Sequence, residues 1–219
     1  MRSDTARNRR ALVEAAGKLF AATTEPVTMV DIARAAQVST ATAYRQFTSV
    51  EEVLSAFRYS VGLELREYAA TVTGSGDERL QAVSRRWVEL VVEHGRAMVG
   101  HRSPQGYLQR LRAGVEYLTV QADALAEPLA ATIADLELPA LGDEALFLWN
   151  ILFDPREILD LVDTVRLTPP QAADRLTATL RGALIGWAER GPAEADKHAA
   201  PGAEATDRPR GSSRRTRSA

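Results

Sequence analysis

Thr40, Ala41, Thr42, Tyr44, Arg45 and Gln46 form a run of small, polar, hydrogen-bonding side chains between Ser39 and Phe47. On a helix they share an outer surface while Val38, Ala43 and Phe47 turn to the core. Hydroxyls, a phenol, an amide and a guanidinium with little bulk can reach phosphate oxygens and base edges. A helix built only to pack or to be solvated more often carries Glu, Lys and Leu there. The chemistry this pattern points to is recognition of double-stranded DNA, with Tyr44 positioned on phosphate and Thr40 and Arg45 approaching bases. The other reading of the same residues is an ordinary helical hairpin that never touches DNA.

Two short helices must position this set. Thr28 is followed three residues later by Asp31, a capping-box spacing that starts a helix near Thr28. Met29, Ile32, Ala33 and Ala36 recur at spacings of three and four and give it one inward face, with Ala33 small enough for a close crossing. Gln37 and Val38 break this helix, and Ser39 is a good N-cap for the next. A preceding helix is predicted from about Thr5 to Ala22, with Leu12, Ala15, Ala16, Leu19 and Phe20 facing the same core. It leaves Arg7, Arg9 and Arg10 near the start of the chain, either as an arm toward backbone or minor groove or as solubilising charge.

Thr28, Ile32-Ala33, Val38-Ser39, Ala43-Tyr44 and Phe47, followed by Ser49-x-Glu51-Glu52-Val53-Leu54, resemble the DNA-binding domain of the tetracycline-repressor (TetR) family over roughly residues 5 to 60. Two positions depart from the family pattern. Gln37 stands where the turn usually carries Gly, at a cost of about 1 kcal/mol if the backbone there is left-handed. Val50 stands where the family usually has a Lys that touches a DNA phosphate.

The resemblance implies a fold, an assembly and a second site. The expected architecture is all-α, with a three-helix helix-turn-helix DNA-binding domain over residues 1–50 and a helical ligand-binding and dimerisation domain over residues 51–191. In that family the last two long helices pack on their symmetry mates as a four-helix interface. Here the corresponding place is taken by residues 141–153 (LGDEALFLWNILF) and 170–188, which hold Phe147, Trp149, Ile151, Phe153, Leu180, Leu184, Ile185 and Trp187. Both segments are too apolar for one buried face, so they either form a homodimer contact or are buried within one chain. The resemblance also implies a small-molecule pocket enclosed by the middle helices, whose occupation changes the spacing of the two DNA heads. Its candidate lining residues are Trp87, His94, Met98, His101, Tyr107 and Tyr117, since aromatic and soft side chains with polar tips suit such cavities. The DNA-contacting residues are then Thr28, Ser39, Thr40, Ala41, Thr42, Tyr44, Arg45 and Gln46.

The middle of the chain reads as nearly continuous helix. Glu51 and Glu52 suit a helix N-terminus, and Val53, Leu54, Phe57, Val61 and Leu65 carry that helix to about Thr73. After the Thr73–Asp77 breaker, Leu80, Val83, Trp87, Leu90, Val91 and Met98 mark a long helix to about Gly100, which puts His94 and His101 on one face near Glu93. Two histidines make an incomplete metal site, and no metal or cofactor is expected. A short helix is predicted from Ser103-Pro104, another over Gly114 to Leu136, and Asp154-Pro155 is read as a break. Beyond Gly191 the composition shifts to Pro, Ala, Glu, Gly, Ser and Arg without an apolar period, which predicts a disordered tail over residues 192–219.

Composition sets the outer limits. With 45% hydrophobic residues the 219-residue chain can build a proper core, and with no cysteine it has neither disulfides nor thiolate metal sites. No apolar stretch serves as an export signal or a membrane span, so the expected location is the cytoplasm. Charge is distributed unevenly. Residues 1–50 carry seven bases against four acids and residues 208–219 carry five arginines and no acid, so the stretch between is acidic. A basic reading head on an acidic body suits a protein that docks on phosphates at one end.

No Ser-His-Asp order, HExxH motif, phosphate-binding Gly loop or paired catalytic carboxylate stands out, so no catalytic residue is assigned and the chain does not read as an enzyme. The reading that joins these features is a transcriptional regulator, a repressor that binds a palindromic operator as a homodimer and is released by a small molecule. Its rivals are a ligand-independent silencing or architectural DNA-binding protein and a small all-helical enzyme.

Overall fold

The computed structural model describes residues 2–100 and 103–190, and within them regular structure is entirely helical. Three helices come first: α1 (Arg2–Ala22), α2 (Met29–Ala35) and α3 (Thr40–Gln46). They close around Leu12, Ala16, Ile32, Ala33, Ala43 and Phe47, all buried. Thr28 caps α2 as its spacing predicted, accepting from the Asp31 N–H at 3.3 Å while the Asp31 carboxylate accepts from the Thr28 N–H at 3.0 Å.

The turn between α2 and α3 is a Schellman motif. The Gln37 N–H donates to the Arg34 carbonyl at 3.1 Å and the Val38 N–H to that of Ala33 at 3.0 Å. The motif requires a left-handed residue after the C-cap, and Gln37 supplies it with φ at 56°. A Cβ in that region is strained by about 1 kcal/mol, the cost anticipated from the absence of Gly.

The body follows as α4 (Val50–Thr71), α5 (Gly76–His94), a 3₁₀ turn at Gly95–Met98, α6 (Tyr107–Arg112), α7 (Glu116–Asp135), α8 (Asp143–Leu152), α9 (Pro155–Asp163) and α10 (Pro169–Ala188). α4 runs from the end of the three N-terminal helices deep into the body, packing on α1 at one end and along α7 at the other. Two glycines permit these close approaches: a methyl at Gly17 would overlap the Phe57 ring, and one at Gly62 would overlap Val120. α5 lies between α7 and α10. Its core is aromatic, with Trp149 stacked on Phe153 at 4.9 Å between ring centres and Trp87 donating its indole N–H to the Phe153 carbonyl at 3.0 Å.

Several sequence expectations are corrected here. α5 stops at His94, because Gly95 takes φ 50° and opens a 3₁₀ turn, so the helix expected to run to about Gly100 ends earlier. The short sixth helix begins at Tyr107, not Ser103. Asp154-Pro155 starts a helix as well as ending one: Asp154 accepts from the Arg156 N–H at 2.8 Å and Pro155 takes the first position, where its missing N–H costs nothing. Phe153, expected on a contact face, is 1% exposed in the core. His101 and the tail expected over residues 192–219 lie outside the described residues.

Candidate nucleic-acid interface and interior cavity

α3 divides cleanly by face. Ala43 is fully buried and Phe47 closes the helix against the core, while Ala41, Tyr44 and Arg45 are exposed, Tyr44 at 54%. Thr40, Thr42 and Gln46 are half-buried at the margins. Ser39 caps the helix by accepting from the Thr42 N–H at 3.1 Å, and its hydroxyl lies 2.9 Å from that of Thr42. Arg45 folds back one turn to donate to the Thr42 hydroxyl at 2.8 Å. Thr28 is exposed at the start of α2 and engaged with Asp31 through its hydroxyl at 2.6 Å.

α1 supports this surface directly. The Arg9 guanidinium sits 4.2 Å over the Phe47 ring and donates to the Gln46 carbonyl at 3.2 Å, satisfying an orphan acceptor at the end of α3. Arg9 is thus part of the head's framework, not of a free arm, and α1 is helical through this region. Arg7 pairs with Asp4 at 3.2 Å. Beyond Phe47, Glu52 accepts from both the Thr48 N–H at 2.6 Å and the Thr48 hydroxyl at 2.8 Å, while Ser49 caps α4 through the Glu52 N–H. The Thr48 N–H first, then its hydroxyl, hold the Glu52 carboxyl below the usual carboxylate range, with help from Arg9. Asp31 is lowered likewise, by the Thr28 hydroxyl first, then the Thr28 N–H and Arg34. Val50, at the first position of α4, is half-buried and packed on the core.

The body holds a cavity of about 410 Å³, open at one side, between α4, α5, α6, α7, α8 and α9. Trp87, Met98, Tyr107 and Tyr117, four of the six residues singled out from sequence, line it. His94 does not: its ring packs edge-on against Phe57, 5.2 Å between centres, at the α1 side of α4. The rest of the apolar wall is Leu118, Ile151 and Phe153.

Sequence reasoning did not find the cavity's charged and amide residues, the bases Arg58, Arg110 and Arg156, the acids Asp154 and Glu157, and the amides Gln121 and Asn150. Arg58 is 5% exposed, yet each of its three nitrogens is used: Nε donates to the Ala97 carbonyl at 3.2 Å, Nη2 to that of Val99 at 3.0 Å and Nη1 to Glu51 at 2.7 Å. Arg110 donates to the Tyr117 hydroxyl, and Arg156 to the Gly100 carbonyl. A signal for two of them was present. Arg58 lies between Leu54 and Val61, and Gln121 between Leu118 and Leu125, so each is a polar residue inside an otherwise apolar helical stripe.

A second surface is apolar and faces outward. Ile185 and Trp187 near the end of α10 are 37% and 40% exposed, whereas Ile151 on α8, 52% exposed, stands at the mouth of the cavity. Phe147 tilts against Trp187 with 6.2 Å between ring centres, joining the two helices. On α10, Gly182 and Gly186 open on empty space beside Ile185. Among the described residues no helix is long and apolar enough to cross a membrane.

Residues 12–57 match the family model for bacterial regulatory proteins of the tetR family. The fatty acid degradation regulator FadR from Bacillus halodurans is similar in structure, with a TM-score of 0.56 and 19% identity over 81% of this chain and 96% of its own. A tetR-family transcriptional regulator from Streptomyces coelicolor aligns with a TM-score of 0.54 and 18% identity over 83% of this chain and 91% of its own. At such identities the likeness is one of fold. No curated protein matches the sequence.

Proposed function

With residues 12–57 forming the helix-turn-helix domain of the tetR family of bacterial regulatory proteins, we propose that this chain is a ligand-responsive repressor that binds a palindromic operator as a homodimer. Residues 1–50 act as the DNA head, and residues 51–191 as the effector-binding and dimerising body. The observation that carries the reading is the outward face of α3, where Tyr44 and Arg45 stand exposed on a helix whose opposite face is locked into the core by Ala43 and Phe47. Thr40, Ala41, Thr42 and Gln46 complete the surface offered to the major groove, and Thr28 and Ser39 offer their hydroxyls beside it. Arg45 exchanges its bond to Thr42 for a base edge, while Tyr44 contacts phosphate.

One such head buries too little surface for tight specific binding, and twofold pairing through α8 and α10 supplies a second. The recognition helices then enter successive major grooves roughly 34 to 36 Å apart. The cavity supports a sensor over a ligand-independent silencer, since α4 joins its wall to the head, and a ligand that favours one placement of α4 shifts the separation of the heads.

Selection of duplexes from a random pool followed by binding isotherms tests this. Arg45→Ala is expected to cost about 1 to 3 kcal/mol and to relax preference at one base position, and Tyr44→Ala to weaken all sequences alike. Wild-type affinity and specificity in both variants would remove α3 from the interface.

A further inference from the structure

Gln121 stands out in the cavity wall. It is 7% exposed, and among the described residues its amide has no hydrogen-bond partner. Its amide opens on the cavity with its donor and acceptor both uncommitted, so both are available to a molecule that enters. One helical turn away on α7 lies Tyr117, whose ring has two guanidiniums near it, Arg110 at 5.6 Å and Arg58 at 5.7 Å from its centre. Arg58 is balanced by Glu51, and Arg156 has Asp154 at 3.6 Å. Among the described residues no carboxylate stands within ion-pair distance of Arg110, which donates instead to the Tyr117 hydroxyl. Glu157 lies at the exposed edge of the cavity. Tyr107 adds a phenol that burial, and secondarily Asp143, push up to about 12, so it remains a neutral donor.

The geometry points to a small organic acid as the occupant: a carboxylate received by the Arg110 guanidinium and the Gln121 amide, with an apolar body against Trp87, Met98 and Leu118. A guanidinium and an amide together offer donors that a carboxylate takes up, and the apolar side chains of Trp87, Met98 and Leu118 suit an aryl or alkyl body. About 410 Å³ is room for one such molecule. The inference rests on the reading of this cavity as the effector site.

Titration calorimetry on the full chain with matched probes tests it: 1-naphthylacetate against 1-naphthylacetamide, and decanoate against methyl decanoate. At least one acid is expected to bind, with its neutral partner at least tenfold weaker. Arg110→Gln, at a half-exposed position that circular dichroism can check for folding, should erase that preference, and Arg110→Lys should restore part of it. Gln121→Leu should weaken the acid severalfold, and Leu118→Trp, which fills the cavity, should abolish binding. Equal affinity for acid and neutral partner, both lost in Leu118→Trp, would overturn the acid head and leave the effector cavity standing. Acid binding that survives Leu118→Trp, or no binding of either acid, would overturn the proposal. An acid that binds in the cavity without releasing operator DNA would keep the acid site and overturn the effector reading instead.

Discussion

Arg58 reaches back two turns along α4 to place Nη1 2.7 Å from the Glu51 carboxylate, so the residue that supports the cavity wall also holds the first turn of the helix leaving the N-terminal three-helix unit. Its two other nitrogens serve the carbonyls of Ala97 and Val99, which lie beyond the end of α5. A guanidinium with each of its nitrogens engaged in a buried site fixes three segments relative to one another. The two ends of this arrangement differ in exposure, with side-chain values of 4% for Arg58 and 39% for Glu51.

That difference sets two unequal expectations. Arg58→Met strands two carbonyls and should destabilise the chain by about 2 to 4 kcal/mol. Glu51→Gln removes only a part-exposed partner and should cost about 1 kcal/mol or less. Urea denaturation of both variants measures this; equal losses would mean that the carbonyl bonds contribute little.

Gln37 offers a test of opposite sign. Its φ of 56° is a conformation that Gly adopts freely, so Gln37→Gly should relieve about 1 kcal/mol of strain, less a few tenths for the greater freedom of the unfolded chain. The melting temperature should rise by a few degrees. A fall would show that the Gln37 side chain makes a contact worth more than its strain.

The head should also loosen on the acid side. Asp31 and Glu52 both titrate below their ordinary values because Thr28 and Thr48 donate to their charged forms. A carboxyl lowered on folding stabilises the folded state above its unfolded pKa, and that contribution fades as pH falls through the folded value. Stability should therefore drop below about pH 4, near the ordinary carboxylate value. Asp31→Asn with Glu52→Gln should flatten the drop, measured as denaturation midpoints from pH 3 to 7. An unchanged slope in the double variant would assign the acid sensitivity to other groups.

What could be read from the chain depended on how local its cause was. The caps at Thr28 and Ser39 and the inward pair Ala43 and Phe47 are set by neighbours a few residues away, and the structure has them as their spacing implied; the left-handed turn at Gln37 followed only from the resemblance to a family that usually carries Gly there. The cavity wall is not local. Arg58, Arg110 and Gln121 come from three helices, and only their packing makes one surface of them. His94 depends on packing too, since its ring meets Phe57 of α4 instead of the cavity. Helix α9 was hidden because Asp-Pro both ends one helix and caps the next.

The outward apolar surface separates two substitutions that look alike in sequence. Trp187 is 40% exposed beside Ile185, and Phe153 is 1% exposed beneath Trp149. Both are large aromatics in the segments assigned to the dimer contact, but a charge at each meets a different environment. Trp187→Glu places a carboxylate on a surface that water can reach in the single chain and that pairing would bury, so it should yield a folded monomer with much weaker operator affinity. Phe153→Glu buries a charge among Trp87, Trp149 and the α5 core, where nothing compensates it, and should prevent stable folding whatever the state of assembly. Light scattering with circular dichroism distinguishes these outcomes. A wild-type monomer at micromolar concentration, or a Trp187→Glu variant that remains dimeric, would remove α8 and α10 from the interface.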